Sequence, residues 1–413
     1  MIMKKRIFIA IHYLEIGGAE TSLIGLLHEL DYTKYDVDLF VYSHRGELMA
    51  QIPSGVNLLP EMPEYAQIER PLVDVVKSGY WRIAFARMKA KLQYRRYVKK
   101  KLPKEGSALF QYVDNAVSKH LPSLFGYGTY DLAISFVTPH NIVRTKVLAK
   151  SKAAWIHTDY SYIDTDVSLE LPVWSSYDHI ISISDKASEG FIGLFPSLKN
   201  KVSVICNILS PQFVRSQAHI VPQNTILEEM PHEEGCVNIL SIGRFTQAKN
   251  YDNVPAICRL INSLLADGHD HVIKKVRWFL IGYGGMENII KERIIKEGMQ
   301  DMVIILGKKD NPYPYINACD IYAQPSRFEG NSVTVREAQV LYKPVVITNY
   351  ATAKSQIVDG IDGVIVPLDN ELCAHEIVQF IKDSPRQNAI IDYLKQHDYG
   401  NQSEIEKIYQ LLP

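Results

Sequence analysis

The 413-residue chain carries 45 Lys and Arg residues against 46 Asp and Glu residues, a formal net charge of -1. Its length exceeds what one hydrophobic core usually supports, so we expect two domains of roughly 150 to 200 residues. The balanced charge gives no global reason to expect a nucleic-acid-binding protein. The five cysteines are scattered and form no CxxC pair, which argues against a disulfide framework or a zinc ribbon and predicts buried thiols in a reducing cytosol.

The N-terminal sequence MIMKKRIFIAIHYL has the basic start and apolar run of a signal peptide. The apolar run is only about six residues long and leads into polar EIGGAET, so it is too short for a signal h-region or a membrane span. We interpret it as the first strand. No other segment approaches a spanning length, so we expect a protein that is soluble or at most lies on a membrane surface.

Short β-branched runs alternate with amphipathic stretches along the chain, which is typical of parallel sheets with helical crossovers. The predicted strands of the first half are RIFIAIH, DVDLFVYS, VNLLP, DLAISFV, AAWIHT, HIISIS and KVSVI. Those of the second half are VNILSIGR, VRWFLIG, MVIILG, DIYAQ, PVVIT and GVIVP. The pattern predicts the α/β class.

A polar, proline-containing segment over 213–235 separates the two sets of strands and predicts a linker. We therefore expect an N-terminal domain over 1–212, a C-terminal domain over 236–395 and a final helix over 396–413.

The segment from about 68 to 127 has no convincing strand and predicts a helical insertion in the first domain. Within it, Trp81 to Lys104 holds ten basic residues and no acid, with aromatic residues interleaved. Such a helix suits an anionic membrane surface. A solvated helix that packs its aromatic side chains on the first domain explains the pattern equally well, and RNA binding is a lesser alternative because no RNA-binding signature accompanies the charge.

Two loops of the second half carry candidate ligand residues. Arg244 and Lys249 follow the strand VNILSIG just before a helix, where open α/β sheets bind ligands and where two cations suit a diphosphate. Two solvated loop charges are the plain alternative. Gly282 and Gly284 follow the next strand, but the third glycine of a dinucleotide fingerprint is replaced by Glu287, which disfavours NAD. These glycines predict either close approach to a ligand or a tight turn.

The stretch PSRFEGNSVTVREAQ places Glu329 and Glu337 on either side of a polar turn formed by Gly330, Asn331 and Ser332. Such a turn at a helix start offers backbone N–H groups to phosphate or hydroxyl oxygens, and Ser332 is the expected N-cap. The two carboxylates suit vicinal diols at the two ends of a diphosphate. Taken in isolation, the segment favours the alternative of a solvated Glu329 and a surface Glu337 beside Arg336.

In the first half, the glycine pair Gly17 and Gly18 follows the first strand and precedes a helix that begins near Glu20. The pair allows the chain to fold over a ligand, or it is a simple βα turn. His157 lies just past a strand, beside Asp159, where ligand-facing residues concentrate, although a structural histidine is the common alternative.

Taken together, SIGRFTQAKN, the glycine turn and the Glu-x7-Glu segment resemble, in that order, the nucleotide-sugar site of retaining glycosyltransferases of family 4, which have the GT-B fold. The resemblance is strongest over 237–367, extends more loosely to GGAE and WIHTDY, and leaves out the cationic insertion. It implies two Rossmann-like domains that face a deep interdomain cleft, with the helix over 396–413 crossing back to the first domain.

The resemblance also implies roles for the donor site. Arg244 and Lys249 would hold the diphosphate, Glu329 the sugar hydroxyls and Glu337 the ribose. The backbone from Gly330 to Val333 would contact the phosphate and the sugar edge. The family usually has phenylalanine or a similar apolar residue where this chain has Asn331, a departure that bears on the identity of the donor sugar.

In the first domain, the resemblance places His157 on the donor sugar, and Gly17 and Gly18 near the donor phosphate and the acceptor. Asn207, at the end of the last strand of that domain, matches a family asparagine near the cleft, or is an ordinary turn residue. Glu20, Asp159 and Asn207 are the candidate acceptor residues.

The implied function is sugar transfer from a nucleotide diphosphate sugar, with retention, to a saccharide or lipid-linked acceptor in cell-surface polysaccharide or glycolipid synthesis. We expect no cofactor and no essential metal, because Arg244 and Lys249 neutralise the leaving diphosphate. The expected location is cytoplasmic or peripheral on the inner membrane face, without nucleic acid as a partner. Alternatives are an epimerase or phosphorylase of the same fold, or a non-catalytic membrane or RNA-binding protein that uses the basic helix.

Overall fold

The computed structural model describes residues 4–15, 17–99, 108–158, 160–161, 163–220, 223–267, 272–330 and 332–413. The chain divides into two compact units. The first comprises Met1–Ile208 together with Asn401–Pro413, and the second comprises Leu209–Gly400.

The first unit is built on a parallel sheet of seven strands. The strands are β1 (Lys5–Ile11), β2 (Tyr35–Val41), β3 (Val56–Leu58), β4 (Thr129–Ser135), β5 (Leu148–Ile156), β6 (His179–Ser182) and β7 (Val202–Val204). Their order in the sheet is β3-β2-β1-β4-β5-β6-β7. Each strand lies within or overlaps a run that the sequence predicted, which confirms the α/β class for this half.

Helices surround this sheet and form most of the segment between β3 and β4. They are α1 (Gly18–Glu29), α2 (Pro63–Ala66), α3 (Leu72–Lys77), α4 (Trp81–Val98), α5 (Ala108–Val117), α6 (Asn141–Lys146), α7 (Val167–Trp174) and α8 (Asp185–Leu194). Short 3-10 turns cover Glu47–Gln51, Ser118–His120, Phe125–Tyr127 and Pro196–Lys201. The core packs the aromatic side chains of the central strands against these helices, with Phe8, Phe40 and Tyr130 fully buried.

The second unit contains a parallel sheet of six strands. They are β8 (Cys236–Ile242), β9 (Lys275–Ile281), β10 (Val303–Gly307), β11 (Ile321–Gln324), β12 (Val345–Thr348) and β13 (Val364–Val366). The order is β10-β9-β8-β11-β12-β13. All six strands coincide with the predicted runs.

The helices of the second unit begin earlier in the sequence than expected. They are α9 (Pro211–Gln217), α10 (Gln223–Glu229), α11 (Val254–Ala266), α12 (Glu287–Glu297), α13 (Tyr313–Ala318), α14 (Val333–Val340), α15 (Ala353–Gln356), α16 (Asn370–Lys382) and α17 (Ser384–Gln396). A 3-10 turn covers Gln247–Lys249. Helices α9 and α10 occupy much of the stretch for which the sequence predicted a polar linker.

Helix α9 forms because its start carries strong local signals. The Ser210 hydroxyl accepts a hydrogen bond from the Phe213 N–H at 3.2 Å, and Pro211 occupies the first turn, where its missing N–H costs nothing. Phe213 and Val214 are buried, so this helix packs as part of the second unit instead of linking the two units.

The last helix, α18 (Glu404–Tyr409), belongs to the first unit. The Tyr409 hydroxyl accepts a hydrogen bond from the Asp31 N–H at 2.9 Å, and its ring stacks on Tyr35 with centroids 4.4 Å apart. The Glu404 carboxylate accepts a hydrogen bond from the Cys206 N–H at 2.8 Å. The chain terminus is therefore fixed by specific contacts within the unit that contains its N-terminus.

Candidate active site

The candidate donor residues of the second unit follow three neighbouring strands. Strand β8 lies between β9 and β11, and the chain leaves β8 toward β9 and returns later to β11 on its other side. Such a reversal of direction is where open parallel sheets bind ligands, at the carboxyl ends of the strands. Lys249 comes after β8, Gly282 after β9 and Glu329 after β11, so all three belong to this edge.

The loops after β8 and β11 are joined by direct hydrogen bonds. The Asn250 amide donates to the Pro325 carbonyl at 2.9 Å, and the Arg327 N–H donates to the Ala248 carbonyl at 2.8 Å. The Arg327 guanidinium also makes a bidentate pair with Asp252, with N–O distances of 3.0 and 2.9 Å. These contacts hold the two loops at one fixed separation.

This framework brings Lys249 and Glu329 together. Their Nζ and Oε1 atoms lie 2.5 Å apart, and the side chains are only 19% and 12% exposed. The same Oε1 accepts hydrogen bonds from the Ser326 hydroxyl at 2.7 Å and the Gln324 amide at 3.3 Å. Oε2 makes no hydrogen bond to any residue that the structure describes, so one carboxylate oxygen remains available for a ligand hydroxyl.

Arg244 is exposed in the loop after β8. Its guanidinium makes no hydrogen bond or ion pair with the described part of the chain. It stands five positions before Lys249, so the loop offers a free cation and a paired cation to an anionic ligand.

Gly282 and Gly284 are required by packing between loops. Both have positive φ values, +150° and +152°. A Cβ atom on Gly282 would lie 1.9 Å from the Gly243 carbonyl oxygen, and one on Gly284 would lie 2.6 Å from the Phe245 carbonyl oxygen. Close packing against the loop after β8 therefore accounts for glycine at both positions. Contact of these glycines with a ligand stays a prediction.

Glu337 is buried on α14, with 4% of its surface exposed. The Tyr313 hydroxyl donates a hydrogen bond to its Oε1 at 2.9 Å. Burial raises the pKa of the Glu337 carboxyl to about 7, and the Tyr313 hydrogen bond acts in the opposite direction. The carboxyl therefore titrates near neutral pH, because the protein surroundings stabilise its charge poorly.

The turn before α14 differs in detail from the expected cradle. Ser332 occupies the N-cap position but makes no capping hydrogen bond, because its hydroxyl pairs with the Thr334 hydroxyl at 3.0 Å. Its N–H donates to the Gln356 side chain at 3.3 Å. Gly330 and Val333 are exposed, and Asn331 lies outside the described residues.

His157 follows β5 in the first unit. Its ring lies against Phe136, with centroids 4.7 Å apart, and runs nearly parallel to Trp155 at 5.9 Å. Burial lowers the pKa of His157 to about 3, so the imidazole is neutral at physiological pH. Its Nε2 atom is buried without a hydrogen-bond partner in the described structure, which leaves one polar atom ready for a ligand.

The glycine pair of the first unit adopts ordinary backbone conformations. Gly17 has φ of -159° and ψ of 161°, an extended conformation open to any residue, and Gly18 begins α1. A Cβ atom on Gly17 would lie 2.2 Å from Oε2 of Glu20, which is the flexible end of a side chain in the first helical turn.

Two acceptor candidates remain, Asn207 and Asp159, and the structure describes only Asn207. The Asn207 carbonyl accepts a hydrogen bond from the Asn401 amide at 2.9 Å, while its own Oδ1 is buried without a partner in the described structure. Asp159 lies outside the described residues.

The sequence reasoning missed the residues that support the site. Ser326, Gln324 and Tyr313 contact the two glutamates, and the Arg327–Asp252 pair joins the loops. A usable signal was the polar side chain of Gln324 at the end of the otherwise apolar strand IYAQ, directly before Pro325. Among the described residues, no group of three or more His, Cys, Asp and Glu side chains is arranged to hold a metal ion.

Comparison with known proteins identifies the second unit. Residues 223–397 match the family model described as "Glycosyl transferases group 1". This region is a group 1 glycosyltransferase domain.

Two curated relatives cover parts of the chain. An "Uncharacterized 41.2 kDa protein in cps region" of Klebsiella pneumoniae is 27% identical over 186 residues, 44% of this chain and 45% of that protein. The N-acetylgalactosamine-N,N'-diacetylbacillosaminyl-diphospho-undecaprenol 4-alpha-N-acetylgalactosaminyltransferase of Campylobacter jejuni is 27% identical over 134 residues, 32% of this chain and 34% of that enzyme. The chain thus aligns with less than half the length of these relatives.

A solved structure shows that the likeness in fold extends beyond the group 1 glycosyltransferase domain. Anabaena Alr3699/HepE in complex with UDP and glucose superposes with a TM-score of 0.59 at 17% sequence identity, over 99% of this chain and 99% of that protein. The two Rossmann-like units therefore have the GT-B fold.

Proposed function

We propose that this protein is a retaining glycosyltransferase of family 4, which transfers a sugar from a nucleotide diphosphate sugar to a saccharide or lipid-linked acceptor. The observation that carries the proposal is the Lys249–Glu329 pair. A cation and a hydroxyl-accepting carboxylate meet at the sheet edge where a ligand is expected, inside the group 1 glycosyltransferase domain.

In the proposed donor site, Lys249 and Arg244 bind the diphosphate. Their charges stabilise the negative charge that develops on the leaving phosphate, which supplies the main catalytic effect without a bound metal. Glu329 uses Oε2 to accept a hydrogen bond from a sugar hydroxyl, while Oε1 remains paired with Lys249. The backbone at Gly330 and Val333 contacts the phosphate and the sugar edge.

Glu337 is assigned to the ribose. Among the described residues, the Tyr313 hydroxyl is the one hydrogen-bond donor to its carboxyl, and a buried carboxylate gains stability from further donors. Vicinal ribose hydroxyls supply two such donors. Nucleotide binding would therefore favour the ionised form of Glu337.

In the first unit, we assign His157 to a hydrogen bond with the donor sugar. Gly17 and Gly18 are proposed to lie near the donor phosphate and the acceptor. A neutral imidazole with an unpartnered Nε2 suits hydrogen bonding to a hydroxyl. The departing phosphate accepts the acceptor proton, so retention requires no separate protein base. Glu20 and Asn207 are proposed to contact the acceptor.

The activities named for similar proteins support the chemical class of both substrates. The Campylobacter jejuni relative is named as a transferase for a saccharide on diphospho-undecaprenol, which supports a lipid-linked acceptor and cell-surface saccharide synthesis. The Anabaena structure with UDP and glucose supports a nucleotide-linked sugar as donor.

We place the protein in the cytoplasm, peripherally on the inner membrane face, where a lipid-linked acceptor presents its head group. No helix in the described ranges is long and apolar enough to cross a membrane. The cationic segment from Trp81 to Lys104 supports surface attachment, because each near-surface cation contributes about 1 kcal/mol on anionic lipid.

The first experiment is thermal stabilisation by UDP, GDP, ADP and their sugar conjugates in EDTA, with and without added magnesium, and with NAD(P)H as a negative control. One nucleotide should raise the Tm of the wild type and of Lys296→Ala, an exposed lysine of α12, but not that of Lys249→Ala. Stabilisation by NAD(P)H alone, or equal stabilisation of Lys249→Ala, would contradict the donor assignment.

A second experiment tests the reaction itself. Incubation with the stabilising nucleotide sugar and a lipid-diphosphate saccharide should give an acceptor-linked product with the anomeric configuration of the donor, as read by NMR. An inverted product would contradict retention. Epimerised donor, or a dependence on inorganic phosphate, would instead identify an epimerase or a phosphorylase.

A further inference from the structure

Helix α4 presents large apolar side chains to solvent along one face. Four of them are 45% to 66% exposed and recur at intervals of four, three and four residues: Trp81, Phe85, Met88 and Leu92. At about 100° per residue they lie within an arc of roughly 60°, and they extend for about 16 Å along the helix. We call this set the outward stripe. Exposed apolar residues gathered in this way mark an interaction surface.

The opposite face of α4 already holds the helix against the first unit. Small or medium apolar residues are buried away from the outward stripe: Ile83, Ala86 and Ala90 lie on the opposite face, and Ala84 lies toward one edge near the start of the helix. The Arg87 guanidinium donates to the Gln67 and Arg70 carbonyls at 2.9 and 2.6 Å. A surface helix normally turns its bulky apolar residues inward, whereas α4 turns the small ones inward and the bulky ones outward. Core packing therefore does not account for the outward stripe.

Exposed cations flank the outward stripe on both sides. By the same angular spacing, Arg82, Lys89 and Arg96 lie along one edge, and Lys91 and Arg95 lie along the other. None of these five makes an ion pair with a carboxylate in the described ranges, and α4 itself contains no acid. An apolar stripe between two cationic edges is the arrangement of helices that lie in the plane of a membrane interface.

We propose that the outward stripe docks on an anionic lipid surface, with its four apolar side chains in the boundary between head groups and acyl chains and the flanking cations against anionic head groups. A second copy of the chain is a poorer occupant, because it would bring the same uncompensated cations into contact. RNA would engage the cations but would not need the four apolar side chains.

An anionic lipid surface is the partner that a peripheral membrane location requires, and in this respect the proposal rests on the proposed function. Docking would deliver the chain to the surface that holds a lipid-linked acceptor. Docking can occur without transfer, and transfer to a soluble acceptor can occur without docking, so the two ideas fail separately.

Trp81 provides a direct reporter. The chain has four tryptophans, and Trp155, Trp174 and Trp278 are at most 1% exposed, whereas Trp81 is 65% exposed. We expect a blue shift of the Trp81 emission, and its quenching by brominated acyl chains, when the full chain meets vesicles of phosphatidylcholine and phosphatidylglycerol. Vesicles of phosphatidylcholine alone should give little change, and high salt should weaken the effect. Unchanged emission with anionic vesicles would overturn the proposal.

Vesicle flotation of matched variants distinguishes the contribution of the outward stripe to membrane binding from that of the flanking cations. Phe85→Ser with Leu92→Ser should lower partitioning at least roughly tenfold. Ile295→Ser with Leu372→Ser, at exposed positions of the second unit, should leave it unchanged. Lys89→Glu, Lys91→Glu and Arg96→Glu together should abolish binding, while the same charge change at Lys199, Lys296 and Lys382 should reduce it far less. Equal effects of the stripe variant and its control would overturn the proposal.

Two further outcomes assign α4 to another partner and so also overturn the proposal. One is RNA binding that the charge variant loses and the stripe variant keeps, without vesicle binding by the wild type. The other is self-association without vesicles that Phe85→Ser with Leu92→Ser removes. Nucleotide stabilisation should persist in the stripe variant. Its absence from the wild type, with vesicle binding intact, would count against the proposed function alone.

Discussion

The ammonium nitrogen of Lys249 lies 2.5 Å from Oε1 of Glu329, across 80 residues of sequence, and both side chains are largely buried. Neither charge is well solvated, so each depends on the other and on the hydrogen bonds from Ser326 and Gln324. Replacement of either residue in the proposed donor site should therefore also change the stability of the second unit.

Removal of one member of this pair should therefore cost stability as well as activity. Lys249→Ala should lower the free energy of unfolding by about 1 to 3 kcal/mol, because the Glu329 carboxylate loses its cation. Lys249→Ala with Glu329→Gln should recover part of that loss and remain inactive. Urea denaturation and a transfer assay of the single and double variants measure both effects. Measurable transfer by Lys249→Ala alone, or by Glu329→Gln alone, would contradict the site assignment.

The pair between Arg327 and Asp252 should matter more for geometry than for charge. Asp252→Asn weakens a bidentate contact that fixes the loops after β8 and β11, so Lys249 and Glu329 should lose their alignment. We expect kcat/KM for the donor to fall roughly tenfold or more. The control is Glu287→Gln, which breaks the exposed pair with Lys291 and should change stability and activity little. Unchanged kinetics in Asp252→Asn would show that the loops hold their positions without it.

Nucleotide affinity should rise with pH through about 7, because the pKa of the buried Glu337 carboxyl is about 7 and ribose hydroxyls bind its ionised form. Tyr313→Phe removes the hydrogen bond that lowers this pKa, so the rise should move to higher pH. Calorimetric titrations at several pH values measure the shift. A nucleotide analogue that lacks both ribose hydroxyls is the control and should show no such dependence. An identical pH profile for both ligands would contradict the ribose assignment.

The same carboxyl should also affect folding. Its pKa is raised from 4.5 in the unfolded chain, so the folded state binds more protons between about 4.5 and 7, and stability should fall as pH rises through that window. Glu337→Gln has no carboxyl to ionise and should flatten this part of the profile, with a relative gain above pH 7 of up to about 3 kcal/mol. Denaturation at pH 5 and pH 8 measures the difference. Parallel profiles for wild type and variant would contradict the burial effect.

The sequence predicted features that depend on short-range patterns. Each of the thirteen strands lies within or overlaps a run that was predicted from its β-branched residues. Lys249 and Glu329 were chosen as candidates because each follows a predicted strand, and their donor roles stay predictions. Features that depend on distant partners were not predictable. The Ser332 hydroxyl binds Thr334 and leaves the helix uncapped, and Glu337 pairs with Tyr313, 24 residues away. The expected linker became helical because burial of Phe213 and Val214 outweighed its polar composition.

The loop after β9 gives a last test, because substitutions of two of its glycines, Gly282 and Gly285, have opposite expected effects on stability. Gly282→Ala would place a Cβ atom 1.9 Å from the Gly243 carbonyl oxygen at a φ of +150°, so the loops after β8 and β9 would have to separate. We expect a loss of roughly 2 kcal/mol or more in unfolding free energy, with weaker donor binding. Gly285→Ala is the matched control, because a Cβ atom there meets nothing within 4 Å. Urea denaturation compares the two variants, and equal stability would contradict the close contact between these loops.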